Sequence, residues 1–179
     1  MDEVPMFRLV GGKKQPFQHS ASTQYVAYYF SASWCPPCRK TTPPLVDEYQ
    51  RMREKDEMPV QIILVGADRS EEDLISYMEK YGMKWAAVEY GSEGMLEGYA
   101  SEGIPHFVLV ERETGKAIVH GTGPGEIEKA VAEMRKYSGV SGDFEIGTWM
   151  DRYGLLAAVF VAGIGILLLK HLRERRARE

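Results

Sequence analysis

The sequence predicts an α/β fold in which helices flank a mixed β-sheet, followed by one C-terminal transmembrane helix. The predicted elements alternate between strand and helix and then end in a hairpin and a helix, an order typical of α/β sandwiches. Residues 60–65 form a nearly continuous apolar run, as expected of a central strand covered on both faces. A second apolar stretch, 154–169, contains no charged residue.

The individual elements are predicted from local patterns of apolar and turn-forming residues. We expect strands at 6–10, 24–31, 60–66, 106–111 and 117–121 and helices at 36–53, 71–81, 94–99 and 125–137. Trp85 is expected in a loop. Ser70 or Asp68 can cap the second helix, because short polar side chains accept hydrogen bonds from free N–H groups. We therefore interpret the acidic run 68–73 as a solvated helix cap rather than a cluster of catalytic carboxylates.

The two cysteines of the chain, Cys35 and Cys38, lie between a predicted strand and a predicted helix. A helix N-terminus favours thiolate over thiol, because its first N–H groups have no partners within the helix. Pro36 suits the first helical position, and Arg39 adds a positive charge one turn further on. At positions i and i+3 the sulfurs can close a local disulfide. We expect Cys35 to face solvent as the nucleophile and Cys38 to point inward as the resolving thiol.

Other uses of the cysteine pair are metal, haem and peroxide chemistry. Zinc needs about four ligands, but the histidines are scattered and there is no second cysteine pair, so we predict no metal and no cofactor. A c-type haem needs His directly after Cys38, where Arg39 stands. Ala32 occupies the position at which a peroxidatic cysteine usually has Thr or Ser. The histidines are His19, His106, His120 and His171.

Residues 29–39, with the sequence YFSASWCPPCR, resemble the active site of the tryparedoxin and nucleoredoxin branch of the thioredoxin superfamily. The likeness covers about 24–120 and includes the segments 43–49, 67–72, 83–88 and 103–105. The resemblance implies a thioredoxin-like fold and thiol–disulfide exchange. It also implies that Cys35 and Cys38 are the redox pair.

The resemblance further implies a cis peptide bond between Ile104 and Pro105. In such folds the residue before this proline offers backbone groups to an extended substrate segment. Trp34 is expected at the rim of the site, where it would shield the sulfurs and pack on substrate; hydrophobic cover alone is the alternative. Protein disulfides or dithiols are the expected partners, together with an unidentified electron donor or acceptor.

Four further residues surround the predicted site: Pro36, Pro37, Arg39 and His106. His106 stands where the family more often has Thr. Its imidazole could tune Cys35 or contact substrate, or it could be a half-exposed strand residue without a role. Tyr29 occupies the position at which many thioredoxins carry a buried Asp, so no proton acceptor for Cys38 is visible.

Residues 149–170 are predicted to cross a membrane, after a domain at 1–137 and a linker at 138–148. Sixteen uncharged residues cover about 24 Å of the ~30 Å apolar core, and flanking residues make up the difference. A terminal core helix is the alternative, but it would carry a polar face. Small residues at every fourth position favour a weak homodimer. They are Gly154, Ala158 and Ala162.

The charges around this segment and the N-terminal residues favour opposite orientations in the membrane. The basic tail from Lys170 onward carries net charge +3 and residues 141–153 carry −2, so the positive-inside rule places the tail, 171–179, in the cytoplasm and the redox domain on the other side of the membrane. Residues 1–5 begin no signal peptide, which favours a redox domain facing the cytosol. If a signal peptide is missing from this chain, the domain faces the periplasm.

The net charge of −4 argues against nucleic-acid binding. The alternative function is a membrane-tethered adaptor with an idle dithiol.

Overall fold

The computed structural model describes residues 4–53 and 59–138. Seven strands form one sheet in the order β2-β1-β5-β4-β3-β6-β7. The strands are β1 Met6–Val10, β2 Lys13–Pro16, β3 Tyr25–Ser31, β4 Val60–Gly66, β5 Ala86–Val88, β6 His106–Glu111 and β7 Ala117–Thr122. The helices are α1 Pro36–Arg53, α2 Glu71–Lys80 and α3 Pro124–Met134, with 3₁₀ segments at Glu93–Tyr99 and Arg135–Tyr137.

The sheet is mixed, as the sequence predicts. Strands β3, β4 and β5 run parallel to one another. Strand β6 pairs with β3 in the antiparallel direction, which places His106, the first residue of β6, opposite Phe30 near the end of β3. The chain leaving β3 and the chain entering β6 therefore meet at the same edge of the sheet.

The core lies on both faces of the sheet, because successive strand residues point to opposite sides. Ala27 and Tyr29 of β3 face α1, α2 and α3, which all pack on one side. Val26 and Phe30 face the opposite side, where Leu96 of the first 3₁₀ segment covers them. Burial on both faces explains why β3 and β4 read as nearly continuous apolar runs.

Most of the predicted elements are confirmed to within two residues. Ser70 is the N-cap of α2 and accepts a hydrogen bond from the backbone N–H of Asp73. The structure adds β2 and β5, which the sequence analysis missed. Strand β2 is exposed along its whole length and β5 has only three residues, so neither produces the apolar periodicity of a strand.

Within residues 4–53 and 59–138, no helix has both the length and the apolar character needed to cross a membrane. The predicted span at 149–170, its small-residue face and the basic tail at 171–179 lie outside the described residues. The same holds for the predicted linker after Ser138.

Candidate functional site

The cysteine pair lies at the junction of β3 and α1, where the sequence analysis placed it. Cys35 and Cys38 form a disulfide with a Cα–Cα distance of 5.2 Å. Helix α1 begins at Pro36, directly after the first cysteine. The backbone N–H of Cys38 donates to Cys35 Sγ over 3.2 Å, so an N–H group of the first helical turn points at this sulfur.

The expectation that Cys35 faces solvent is wrong for this disulfide state. Cys35 is 2% exposed and Cys38 is fully buried. Ala32 and the side chain of Ile104 pack against both cysteines and cover them. Pro36 and Pro37 are exposed beside the disulfide.

The loop before β6 forms one wall of the site. The Ile104–Pro105 peptide bond is cis, in agreement with the sequence-based expectation. The carbonyl oxygen of Ile104 lies 3.7 Å from Cys35 Sγ, although the two residues are 69 positions apart in the chain. The roles of Ile104 and Pro105 in substrate binding stay predictions.

Trp34 forms another part of the rim. Its side chain is 51% exposed, and its Nε1–H donates to the carbonyl oxygen of Ala67 over 2.8 Å. This hydrogen bond anchors the indole to the loop after β4 and leaves much of its surface accessible. The geometry fits a rim residue, and contact between Trp34 and substrate stays a prediction.

Asp68 contacts the active-site loop, and the sequence analysis did not anticipate this role. It is only 9% exposed, in contrast to the solvated cap that we expected for this residue. Its Oδ1 accepts hydrogen bonds from the backbone N–H and the hydroxyl of Ser33, at 2.8 and 2.6 Å. Asp68 thus fixes the loop two residues before Cys35. The available signal was its position just after β4, beside the end of β3.

Four buried hydroxyl groups lie beneath Cys38 and form what we call the hydroxyl cluster: Tyr29, Ser31, Thr42 and Tyr77. Thr42 shares hydrogen bonds with Tyr29 over 3.0 Å and with Tyr77 over 2.5 Å, and it donates to the Cys38 carbonyl over 2.9 Å. Tyr77 also bonds Ser31 over 2.9 Å. Burial raises the pKa of Tyr29 and of Tyr77, so both phenols stay protonated. The cluster positions Cys38 through neutral hydrogen bonds rather than through a carboxylate.

Arg39 and His106, the other two residues predicted to surround the site, have different environments. Arg39 is exposed on the first turn of α1. His106 is 5% exposed, so it is not the half-exposed strand residue that we considered. Its ring packs near Phe30, with 5.7 Å between ring centroids, and bonds Thr122.

Metal binding is the alternative use of the cysteines. In this structure the two sulfurs are bonded to each other. Among the side chains that the structure describes, no group of three or more His, Cys, Asp or Glu residues is arranged as a metal site. His171, one of the four histidines considered, lies outside those residues.

Comparison with known proteins gives matches that centre on this site. The thioredoxin-like family model matches residues 23–116. Nucleoredoxin from Danio rerio is 41% identical over 93 residues, which are 50% of this chain and 22% of that protein. Tryparedoxin from Trypanosoma brucei brucei is 32% identical over 97 residues, 52% of this chain and 65% of that protein. The structure of tryparedoxin II from C. fasciculata matches with a TM-score of 0.58 at 28% identity, covering 80% of this chain and 91% of that one.

These matches differ in how much of the relative they cover. The chain spans about a fifth of the Danio rerio nucleoredoxin and about two thirds of the tryparedoxin. The matched region contains the disulfide, the cis-proline loop and the strands that position them. With its family model matched over more than half of its length, the chain belongs to the thioredoxin superfamily, in the nucleoredoxin and tryparedoxin branch.

Proposed function

We propose that this chain is a thiol–disulfide oxidoreductase that exchanges electrons with protein disulfides. The observation that carries the proposal is the Cys35–Cys38 disulfide at the N-terminus of α1, with the Ile104 carbonyl 3.7 Å from Cys35 Sγ. The likeness to nucleoredoxin and tryparedoxin supports it.

The reaction begins with the reduced pair. The Cys35 thiolate attacks one sulfur of a substrate disulfide, a mixed disulfide forms, and the other substrate sulfur leaves as a thiolate that takes up a proton. Cys38 then loses its proton and attacks Cys35 Sγ. This step releases the second substrate thiol and restores the Cys35–Cys38 disulfide. Two electrons pass to the substrate, and an electron donor must reduce the pair again before the next cycle.

The chain's own groups support these steps in three ways. The Cys38 N–H, 3.2 Å from Cys35 Sγ, stabilises negative charge on that sulfur. The Ile104 carbonyl accepts a backbone hydrogen bond from an extended substrate segment, and Pro105 holds the loop that presents it. Trp34 supplies apolar contact at the rim.

Reduction of insulin by the full chain, with dithiothreitol as electron donor, tests the proposed activity. We expect insulin to be reduced severalfold faster than by dithiothreitol alone, because the rim and the loop concentrate a protein disulfide beside Cys35. The assay follows turbidity from the precipitating insulin chain. If the full chain gave no acceleration, the adaptor function with an idle dithiol would replace the oxidoreductase.

We further propose that residues 149–170 anchor the protein in a membrane, with the redox domain facing the cytosol. The uncharged run 154–169 supports the anchor, as do Trp149 and Tyr153 before it and the basic residues after it. The sequence holds two cysteines, both in the redox pair, and this usage fits the reducing cytosol. The periplasmic orientation applies if a signal peptide precedes this sequence.

Extraction of membranes with alkaline carbonate tests the anchor. The full chain is expected to remain in the membrane pellet, and a variant lacking residues 149–179 is expected in the soluble fraction. Recovery of the full chain in the soluble fraction would contradict the anchor.

Cross-linking of the Ala158→Leu variant separately tests the dimer, because a larger side chain on the small-residue face prevents close helix packing. Unchanged cross-linking would rule the dimer out.

A further inference from the structure

We infer that His106 is a positioning residue that holds the cis-proline loop, residues 99–105, so that the Ile104 carbonyl faces Cys35. The inference rests on the proposed oxidoreductase function and assigns a role to one residue of that site. It concerns the binding of protein substrates rather than the chemistry at the sulfurs.

The first step of the argument is the set of contacts made by the imidazole. His106 Nδ1 and the Thr122 hydroxyl share a hydrogen bond of 2.8 Å. His106 directly follows the cis Pro105, so this bond is made at the C-terminal end of the cis-proline loop. Gly121 and Thr122 end β7. One buried side chain therefore joins the end of the loop to the neighbouring strand.

The second step is that the end of β7 is itself held in place. A Cβ atom on Gly121 would lie 2.5 Å from backbone atoms of Glu126, so the strand passes directly against the first turn of α3. The backbone N–H of Thr122 donates to Glu126 Oε2 over 3.0 Å. The N–H of Gly123 donates to the Pro105 carbonyl over 2.8 Å. His106 thus connects the loop to a support that is fixed by α3.

The third step connects this support to the sulfurs. Ile104 lies two residues before His106, and its side chain packs against Cys35 and Cys38. Its carbonyl oxygen is the loop atom placed 3.7 Å from Cys35 Sγ. A loop that shifts at His106 moves this carbonyl. The shift weakens pairing with an extended polypeptide, whereas a small disulfide that uses no backbone pairing is unaffected.

The surroundings of His106 favour the neutral ring that these contacts use. Strand β3 presents the uncharged Phe30, β7 presents His120 with 6.1 Å between ring centroids, and α3 presents the carboxylate of Glu126. Burial and the neighbouring His120 hold the pKa of His106 below its ordinary value, against the opposing effect of Glu126. A neutral imidazole keeps one ring nitrogen free to accept, so Nδ1 can accept a hydrogen bond from the Thr122 hydroxyl.

The test compares three variants of the full chain. His106→Leu keeps the buried volume and removes the hydrogen bonds, whereas His106→Asn keeps an amide that can bond Thr122. Lys116→Leu is the control, because it alters an exposed side chain in the turn between β6 and β7, at the opposite end of β7 from His106. Each variant is assayed with insulin and with 5,5′-dithiobis(2-nitrobenzoic acid), a small disulfide. Amide hydrogen exchange of residues 99–106 is measured by mass spectrometry in the oxidised protein.

We expect His106→Leu to raise KM for insulin roughly two- to tenfold, the range that corresponds to one or two net hydrogen bonds. The kcat for insulin and the rate with the small disulfide should stay within about twofold of the wild type, since the sulfurs are untouched. His106→Asn should recover most of the loss, and Lys116→Leu should match the wild type. Exchange in 99–106 should be faster in His106→Leu alone.

Two kinetic results would overturn the inference. One is an unchanged KM for insulin in His106→Leu, and the other is an equal loss with insulin and with the small disulfide. Unchanged hydrogen exchange in residues 99–106 of His106→Leu would overturn it independently of activity. If the wild type fails to reduce insulin, the proposed function fails, and the hydrogen-exchange comparison still decides the role of His106.

Discussion

Replacing Cys35 with serine is expected to abolish disulfide exchange, whereas Cys38→Ser is expected to trap the substrate on Cys35. Cys35 precedes the first turn of α1 and receives the Cys38 N–H, so we expect it to be the sulfur that is stabilised as a thiolate. Without this nucleophile the exchange rate should fall by roughly three orders of magnitude or more. Cys38→Ser still permits the first attack and lacks the thiol that resolves the mixed disulfide.

The two variants are distinguished by incubating each with insulin and separating the products under non-reducing conditions. Cys38→Ser should give a covalent adduct that mass spectrometry places on Cys35, and Cys35→Ser should give none. The variant lacking both cysteines controls for non-covalent association. A stable adduct through Cys38 in the Cys35→Ser variant would reverse the assignment. Faster alkylation of Cys38 than of Cys35 in the reduced wild type would also reverse it.

The position of the redox pair could be predicted because local sequence determines it. The apolar run of β3 and the helix that starts at Pro36 lie next to the cysteines in the chain, so a short segment fixes their geometry. The motif 103–105 likewise identified a cis-proline candidate through family resemblance. The fold class followed from the order of the elements, even though β2 and β5 were missed.

The parts of the site that could not be predicted depend on contacts between distant residues. We expected Cys35 to face solvent because helix geometry alone points it outward, but Ile104, 69 positions away, covers it. Asp68 bonds Ser33 across 35 positions, and no periodic pattern reports such a pair. The hydroxyl cluster under Cys38 is also invisible locally, because Tyr77 joins it from α2.

An ion pair that joins α1 to the segment after α3 could not be predicted from local sequence either. Glu48 lies on α1, ten residues after Cys38, and its side chain is 7% exposed. Its Oε1 accepts from Arg135 Nε over 2.6 Å, and its Oε2 accepts from Arg135 Nη2 over 2.9 Å. Arg51 Nη2 also donates to Oε2, over 2.7 Å. A carboxylate buried with two guanidinium groups is costly to alter, because removing it leaves a partly buried positive charge without its partner.

Glu48→Gln is therefore expected to lower the free energy of unfolding by about 3 kcal/mol at neutral pH, since loss of one partner of a buried ion pair typically costs this much or more. Glu133→Gln is the matched control, because Glu133 on α3 pairs with the exposed Lys136 and its loss should change little. Urea titrations of the full chain in mild detergent, followed by tryptophan fluorescence, to which the buried Trp85 contributes, measure both variants.

The contribution of Glu48 to the free energy of unfolding also depends on pH. Burial alone would raise the pKa of Glu48, but the hydrogen bonds and charges of Arg135 and Arg51 outweigh it and hold the pKa below its ordinary value. In the unfolded chain a Glu side chain has a pKa of about 4.3. The unfolded chain therefore binds a proton at this position at a higher pH than the folded chain does. The stabilisation is fully present above that unfolded-state pKa and is lost as the pH falls through the lower folded-state pKa. Glu48→Gln has no such titration, so the difference in unfolding free energy between wild type and variant should narrow on acidification. A difference that widened below about pH 4, or that was absent at neutral pH, would show that this ion pair does not stabilise the attachment of α1.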